Sequence, residues 1–192
     1  MVKILYLCRH GQTEFNTRGL AQGRCDSPLT ELGVKQALKA RDYFIKNKIE
    51  YTDVYCSPLG RAKSTCKLIT GIDGVCLDGL IEMHFGSLDG DDYLKCREYQ
   101  DDYTSIGGEN REIAGDRMMA TLTDVMNKSD GNVVAISHAT VGRCFYYKVI
   151  GHFDPVFRLP NCGICVYEYD GDKFKFIEMV DPNAVSYTHL TL

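Results

Sequence analysis

Arg9-His10-Gly11-Gln12-Thr13-Glu14-Phe15-Asn16 follows directly on Val2-Lys3-Ile4-Leu5-Tyr6-Leu7-Cys8, an apolar run with the length and bounds of a buried strand. An imidazole held against a guanidinium stays neutral, because the neighbouring positive charge disfavours a second one, and a neutral ring nitrogen is a nucleophile. The electrophile that suits this pair is phosphorus: a phosphate ester carries up to two negative charges, and arginine matches its oxygens bidentately. Gly11 is expected to let the chain turn sharply there. Taken alone, the dipeptide also fits an ordinary loop, so the elements around it must decide.

Strand and helix alternate along the chain, the pattern of a layered α/β domain, in which ligands bind at the carboxyl ends of the strands. Thr30 is suited to cap a helix over 30–47, whose core stripe is read as Val34, Ala37, Leu38, Phe44 and Ile45. Residues 53–56 form a short strand, and Ser57-Pro58 opens a helix with Arg61 in its first turn. A helix is predicted over 110–127, then a buried strand over 132–137 that stops at His138, repeating the arrangement at His10. A helix over 140–150 and strands over 163–169 and 173–179, joined by the hairpin signal Asp170-Gly171-Asp172, complete the pattern. Three strands thus deliver Arg9 and His10, Arg61, and His138 to one rim.

With 192 residues the chain suits one domain, able to bury roughly 70% of its unfolded surface without a metal or disulfide. A net charge of −4 argues against a nucleic-acid partner. No run approaches about 18 apolar residues and no leader pattern opens the chain, so a soluble, cytoplasmic protein is expected. The nine cysteines are scattered and odd in number, which points to reduced thiols. Cys162 and Cys165 have metal or redox spacing but no second pair nearby, and Cys8 is read as a buried strand residue.

Five blocks, RHGQTEFN at 9–16, AQGRCDSPLTELGVKQA at 21–37, SPLGRAKST at 57–65, LIEMHFGSLDG at 80–90 and ISHATVGR at 136–143, resemble those of the histidine phosphatase superfamily, also called the phosphoglycerate mutase-like family. The resemblance covers nearly the whole chain. It implies a three-layer α/β/α sandwich with a mostly parallel central sheet over residues 1–183. It also implies a metal-free, cofactor-free mechanism in which His10 forms a phosphohistidine and Arg9, Arg61 and His138 surround the nonbridging oxygens. Glu82, beside Phe85, would be the general acid and base. By the same resemblance Asn16, Gln22 and Gly23 line the substrate pocket, and Thr140, where relatives often carry glycine, adds a hydroxyl near it. Gly107-Gly108-Glu109-Asn110 resembles a family glycine-glycine-glutamate-serine segment, with Asn110 read first as a helix cap. His84, His152 and His189 match no family role and are read as structural or exposed.

Water or a second substrate hydroxyl can accept the phosphoryl group. The short segment between Glu82 and His138 and the little chain after residue 180 favour water, since cofactor-dependent mutases of the family cover the site more fully. The expected activity is therefore a phosphomonoesterase acting on a small phosphorylated metabolite, with a phosphoglycerate mutase as the alternative. A catalytically silent phospho-ligand or partner-binding protein is the reading from another class. Sugar phosphates, phosphoglycerates and alpha-ribazole phosphate are candidate substrates, and homodimer formation is open. Tyr93, Tyr99 and Tyr103 suit the lining of the substrate pocket, but their spacing also fits one helix face packed on the core, which is the preferred reading. The tail at 184–192 fits no element, and Val185–Leu192 resembles a translated sequencing-adapter read-through.

Overall fold

The structure, a computed structural model, describes residues 2–184, so Val185–Leu192, with the adapter-like tail and His189, lies outside the described residues. Its six-stranded sheet is built from β1 (Lys3–Arg9), β2 (Asp53–Cys56), β3 (Val75–Cys76), β4 (Val133–Ser137), β5 (Ile164–Tyr169) and β6 (Phe174–Val180), in the order β3-β2-β4-β1-β5-β6. The first four strands are parallel, and β5 and β6 add an antiparallel hairpin at one side. Every residue of β4 is buried, as expected for a Val/Ile-rich strand in the middle of a parallel sheet with both faces covered.

Two helices cover each face. On one side α2 (Glu31–Lys46) and α3 (Gly60–Thr70) pack Ala37, Phe44, Ala62 and Ile69 against Cys8, Val54 and Ile136. On the other, α5 (Arg111–Lys128) and α6 (Ala139–Ile150) pack Met118, Leu122, Val141 and Phe145 against Leu5, Leu7 and Ala135. The period of two along β1 sends Leu5 and Leu7 to one core and Cys8 to the other. Two short helices, α1 (Glu14–Thr17) and α4 (Tyr93–Cys96), lie in the connections.

The expected boundaries hold within one or two residues, and the caps explain why. Thr30 accepts from the Gly33 amide and Asn110 from the Ile113 amide, each holding the first turn of its helix. One reading needs correction: the core stripe of α2 runs through Gly33, Ala37, Ala40 and Phe44, while Ile45 is exposed. The spacing from 33 is four, three and four residues, so Ile45 falls a step off the face.

Gly11 also differs from expectation. Its φ is not positive, so no sharp left-handed turn needs it. A Cβ at Gly11 would lie 2.5 Å from the Gly33 carbonyl oxygen, and one at Gly33 would lie 2.0 Å from that of Gln12. The two glycines let the loop after β1 sit directly on the first turn of α2.

Candidate active site

Backbone register brings the two histidines together. Arg9 of β1 pairs with Ser137 of β4, and the His10 amide donates to the Ser137 carbonyl at 3.0 Å, so His10 and His138 leave adjacent strands side by side. Their rings meet edge to face with centroids 5.1 Å apart. The His10 Nδ1–H donates to the Gly11 carbonyl at 2.7 Å. A carbonyl only accepts, so this bond places the proton on Nδ1 and leaves the Nε2 lone pair without a partner among the described residues. Burial, then Arg9 and Arg61, hold His10 well below the usual imidazole range, keeping that lone pair available near neutral pH.

Arg61 is buried and Arg9 half-buried, and the two differ in how they are held. Arg9 donates through Nη1 to the Leu159 carbonyl at 2.8 Å, and its buried Nε has no partner among the described residues. Arg61 is gripped on all sides: Nη1 donates to the Cys25 carbonyl at 2.6 Å and Asp26 Oδ1 at 3.1 Å, and Nη2 to the Gly23 carbonyl at 2.8 Å. Burial lowers both guanidinium pKa values, with Glu82 the largest influence pulling back. Thr65, one turn along α3, accepts from the Gly11 amide and ties Arg61 to the His10 loop.

His138 is fully buried, but stands behind the cavity rather than in its wall. Arg61 Nε donates to its Nδ1 at 3.2 Å, so its Nε2–H donates to Ser57 Oγ at 2.8 Å. Both ring nitrogens are thus taken by protein. Burial and then Arg61 keep this ring neutral as well.

Glu82 is buried at the opening of α6. Its Oε1 accepts from the Met83 and Val141 amides, each at 2.8 Å, and its Oε2 from the Thr140 amide at 3.1 Å. Two amides in the first turn of α6, with that of Met83, fix the direction of the carboxylate. Thr140 therefore serves Glu82 through its backbone, a role its identity does not reveal.

Arg9, His10, Arg61 and Glu82 line one cavity of about 720 Å³, together with Asn16, Gln22, Gly23 and Thr140. Asn16 accepts from the Thr13 amide in the cap of α1, and Gln22 accepts from Ser27 Oγ at 3.1 Å. With their amide oxygens engaged, both present NH2 groups as donors. Gly23 has φ +48, and a Cβ there would lie 1.8 Å from Asp89 Oδ1, so the position requires glycine.

Sequence reading missed the contribution of 157–162. The Leu159 carbonyl holds Arg9, the Asn161 amide donates to the His10 carbonyl at 3.1 Å, and Phe157 and Arg158 form part of the wall. Only backbone and loop contacts are involved, and these leave no periodic signal. Cys162 and Cys165 are buried, and the Cys162 amide donates back to the Arg9 carbonyl. Cys8 is buried too, and burial raises its thiol pKa so that it stays protonated.

The three tyrosines do not share a helix face. Tyr103 is buried and stacks on Tyr99 at 5.5 Å, whereas Tyr93 is exposed and lines the cavity. The segment breaks into short turns because Gln100 and Asp101 have positive φ, which ends any continuous helix. Glu109 makes a two-pronged pair with Arg117 at 2.9 Å, away from the cavity, and Asn110 caps α5. His84 faces Asp89 at 3.4 Å and His152 is exposed.

Comparison with known proteins identifies the family and the fold. The model of the histidine phosphatase superfamily (branch 1) matches residues 5–182. The chain is 32% identical over 195 residues to "Putative phosphoserine phosphatase 2" of Hydrogenobacter thermophilus, covering 90% of this chain and 92% of that protein. It is 27% identical to "Probable phosphoglycerate mutase GpmB" of Salmonella paratyphi A, covering 97% and 94%. Bacillus stearothermophilus YhfR has the same fold, with a TM-score of 0.84, 22% identity and coverage of 95% and 98%. The sandwich, its sheet order and the matched residues make this chain a member of the histidine phosphatase superfamily, branch 1.

Proposed function

We propose that the protein is a phosphomonoesterase that hydrolyses a small phosphorylated metabolite through a phosphohistidine on His10. The observation that carries this reading is the bond from His10 Nδ1–H to the Gly11 carbonyl, which leaves Nε2 as a free lone pair in a cavity walled by Arg9 and Arg61. Nε2 attacks phosphorus as the bond to the ester oxygen breaks, and Glu82 gives that oxygen its proton. Water then loses a proton to the Glu82 carboxylate and attacks phosphorus, and the N–P bond returns its pair to Nε2. Arg9 and Arg61 stabilise the charge on the nonbridging oxygens. His138 and Ser57 hold Arg61 in place, and the donors of Asn16, Gln22 and Gly23 line the path of the substrate.

Both His10 and Glu82 are present and buried in the cavity wall, which favours an enzyme over a silent binder. Similarity to a protein named as a phosphoglycerate mutase supports a second reading, in which a substrate hydroxyl takes the phosphoryl group in place of water. The nine cysteines are all unpaired, and no helix among the described residues is long and apolar enough to cross a membrane. Free thiols suit a reducing compartment, and we read the protein as cytoplasmic. Release of p-nitrophenol from p-nitrophenyl phosphate, unaffected by a chelator and lost in His10→Ala, tests the enzyme. Supplying 3-phosphoglycerate with its bisphosphate primer distinguishes free phosphate from 2-phosphoglycerate.

A further inference from the structure

We propose that Cys56 and Cys76 form an oxidation site, at which a peroxide converts the two thiols into an intramolecular disulfide across β2 and β3. The pair stands apart from the cavity wall, and its chemistry is independent of the phosphatase reading. Sheet register supplies it. β3 is an edge strand of two residues, and its Cys76 stands opposite Cys56 in the parallel pairing. Directly opposed residues of neighbouring strands point to the same face, with the strands about 4.8 Å apart, a backbone separation that a disulfide bridges. The two Sγ atoms are 3.8 Å apart, and both face the Gly74 carbonyl, Cys56 at 3.7 Å and Cys76 at 4.0 Å. Bond formation brings the sulfurs to about 2.0 Å, which takes side-chain rotation and a small approach of the edge strand. A two-residue strand paired on one side only has that freedom.

Exposure gives the two thiols different roles. Cys76 is exposed and Cys56 is buried. Contact with Cys66, then burial, push the Cys56 thiol up, so it stays protonated and the first attack by peroxide falls on Cys76. The Cys76 sulfur breaks the O–O bond and becomes a sulfenic acid, and its proton leaves with the other oxygen as water. The Cys56 sulfur then attacks that of Cys76, the S–O bond breaks, and hydroxide leaves with the Cys56 proton as a second water. Two thiols lose two electrons in total, and one peroxide is reduced to two waters. A thiol reductant reverses the bond, as suits a compartment where disulfides are transient.

The crosslink would close the unit β2-α3-β3, whose helix carries Arg61. It would also lie one residue from Ser57, which accepts from His138 at 2.8 Å. Cys66 is the competing thiol, but it is buried in α3 with its Sγ turned to the Ile72 carbonyl at 3.7 Å. Cys25 is exposed like Cys76, in the loop that holds Arg61 through its own carbonyl.

The test treats the dilute, fully reduced full-length protein with hydrogen peroxide, blocks the remaining thiols with N-ethylmaleimide in denaturant, and maps the tryptic peptides. Two of the nine thiols should escape blocking. The intact monomer should lose about 2 Da before blocking, one peptide should join Cys56 to Cys76, and dithiothreitol should restore both thiols. Cys56→Ala should leave Cys76 as a sulfenic acid that dimedone traps, and Cys66→Ala should leave the crosslink in place. Cys76→Ser changes an exposed side chain and should abolish the crosslink, so it decides the matter if a variant at a buried position does not fold. Nine thiols still free after treatment, a bond from Cys76 to Cys66 or Cys25, or a Cys76 sulfinic acid formed without any crosslink would overturn the site.

Discussion

Arg61 donates from Nε to Nδ1 of His138 at 3.2 Å, so the second histidine of the site is bound to an arginine of the cavity wall, the one proposed to face the phosphoryl group. Arg61 lines the cavity and His138 does not, which gives His138 its influence through the direction of that guanidinium.

Replacing His138 with Ala should therefore lower kcat by roughly 100- to 1000-fold, the scale of losing one preorganised stabilising group, with KM changed by only a few fold. Steady-state kinetics with p-nitrophenyl phosphate measure both. An unchanged kcat would show that Arg61 is held well enough by Cys25, Asp26 and Gly23 alone.

Removing the acid should show in the choice of leaving group. In Glu82→Gln the single amide oxygen can still accept from the Met83 and Val141 amides while the Thr140 amide loses its acceptor, so the fold should persist at a small cost, but the proton for the ester oxygen is lost. Hydrolysis of an alkyl phosphate should drop by roughly 100- to 10000-fold, while p-nitrophenyl phosphate, whose leaving group needs little protonation, drops far less. Equal losses on both substrates would remove Glu82 from the acid role.

Stability should depend on pH in a stated direction. His10 and His138 are both held well below the usual imidazole range, by burial first and then by nearby positive charge. Between those lowered values and about 6.5 the unfolded chain binds more protons than the folded one, so stability is full above about pH 6.5 and is lost as pH falls below it. Each histidine contributes a slope approaching about 1.4 kcal/mol per pH unit there. Urea unfolding from pH 8 to 5 should show this loss, and His138→Gln should make it shallower.

The contact between Gly11 and Gly33 supports the position of His10. Gly33→Ala would put a methyl 2.0 Å from the Gln12 carbonyl, so about 1–3 kcal/mol of stability should be lost along with activity. Denaturant midpoints and turnover should fall together. A variant that is destabilised yet fully active would show that α2 does not position the His10 loop.

Much of this was legible in the chain because the groups that do chemistry stand at the ends of strands with a clear pattern. Val133 to Ser137 reads as a buried strand from composition alone, and that strand delivers His138. Thr30 and Asn110 announce their helices by chemistry confined to one turn. What stayed hidden depends on long-range contact. Leu159 reaches Arg9 through a backbone carbonyl, and any residue type could supply one. Tyr93, Tyr99 and Tyr103 have helical spacing, but the left-handed pair Gln100-Asp101 breaks the segment, and neither residue is a glycine that would have signalled it. His138 could be placed at the rim, but its bonds to Arg61 and Ser57 join elements far apart in sequence.

The central claim is that His10 carries the phosphoryl group. Rapid quenching of the enzyme with a 32P-labelled phosphomonoester, followed by peptide mapping, tests it directly. A label that is acid-labile, alkali-stable and located on His10, absent in His10→Ala, is the predicted result. Turnover that proceeds without any label on His10, or that survives in His10→Ala, would contradict the account.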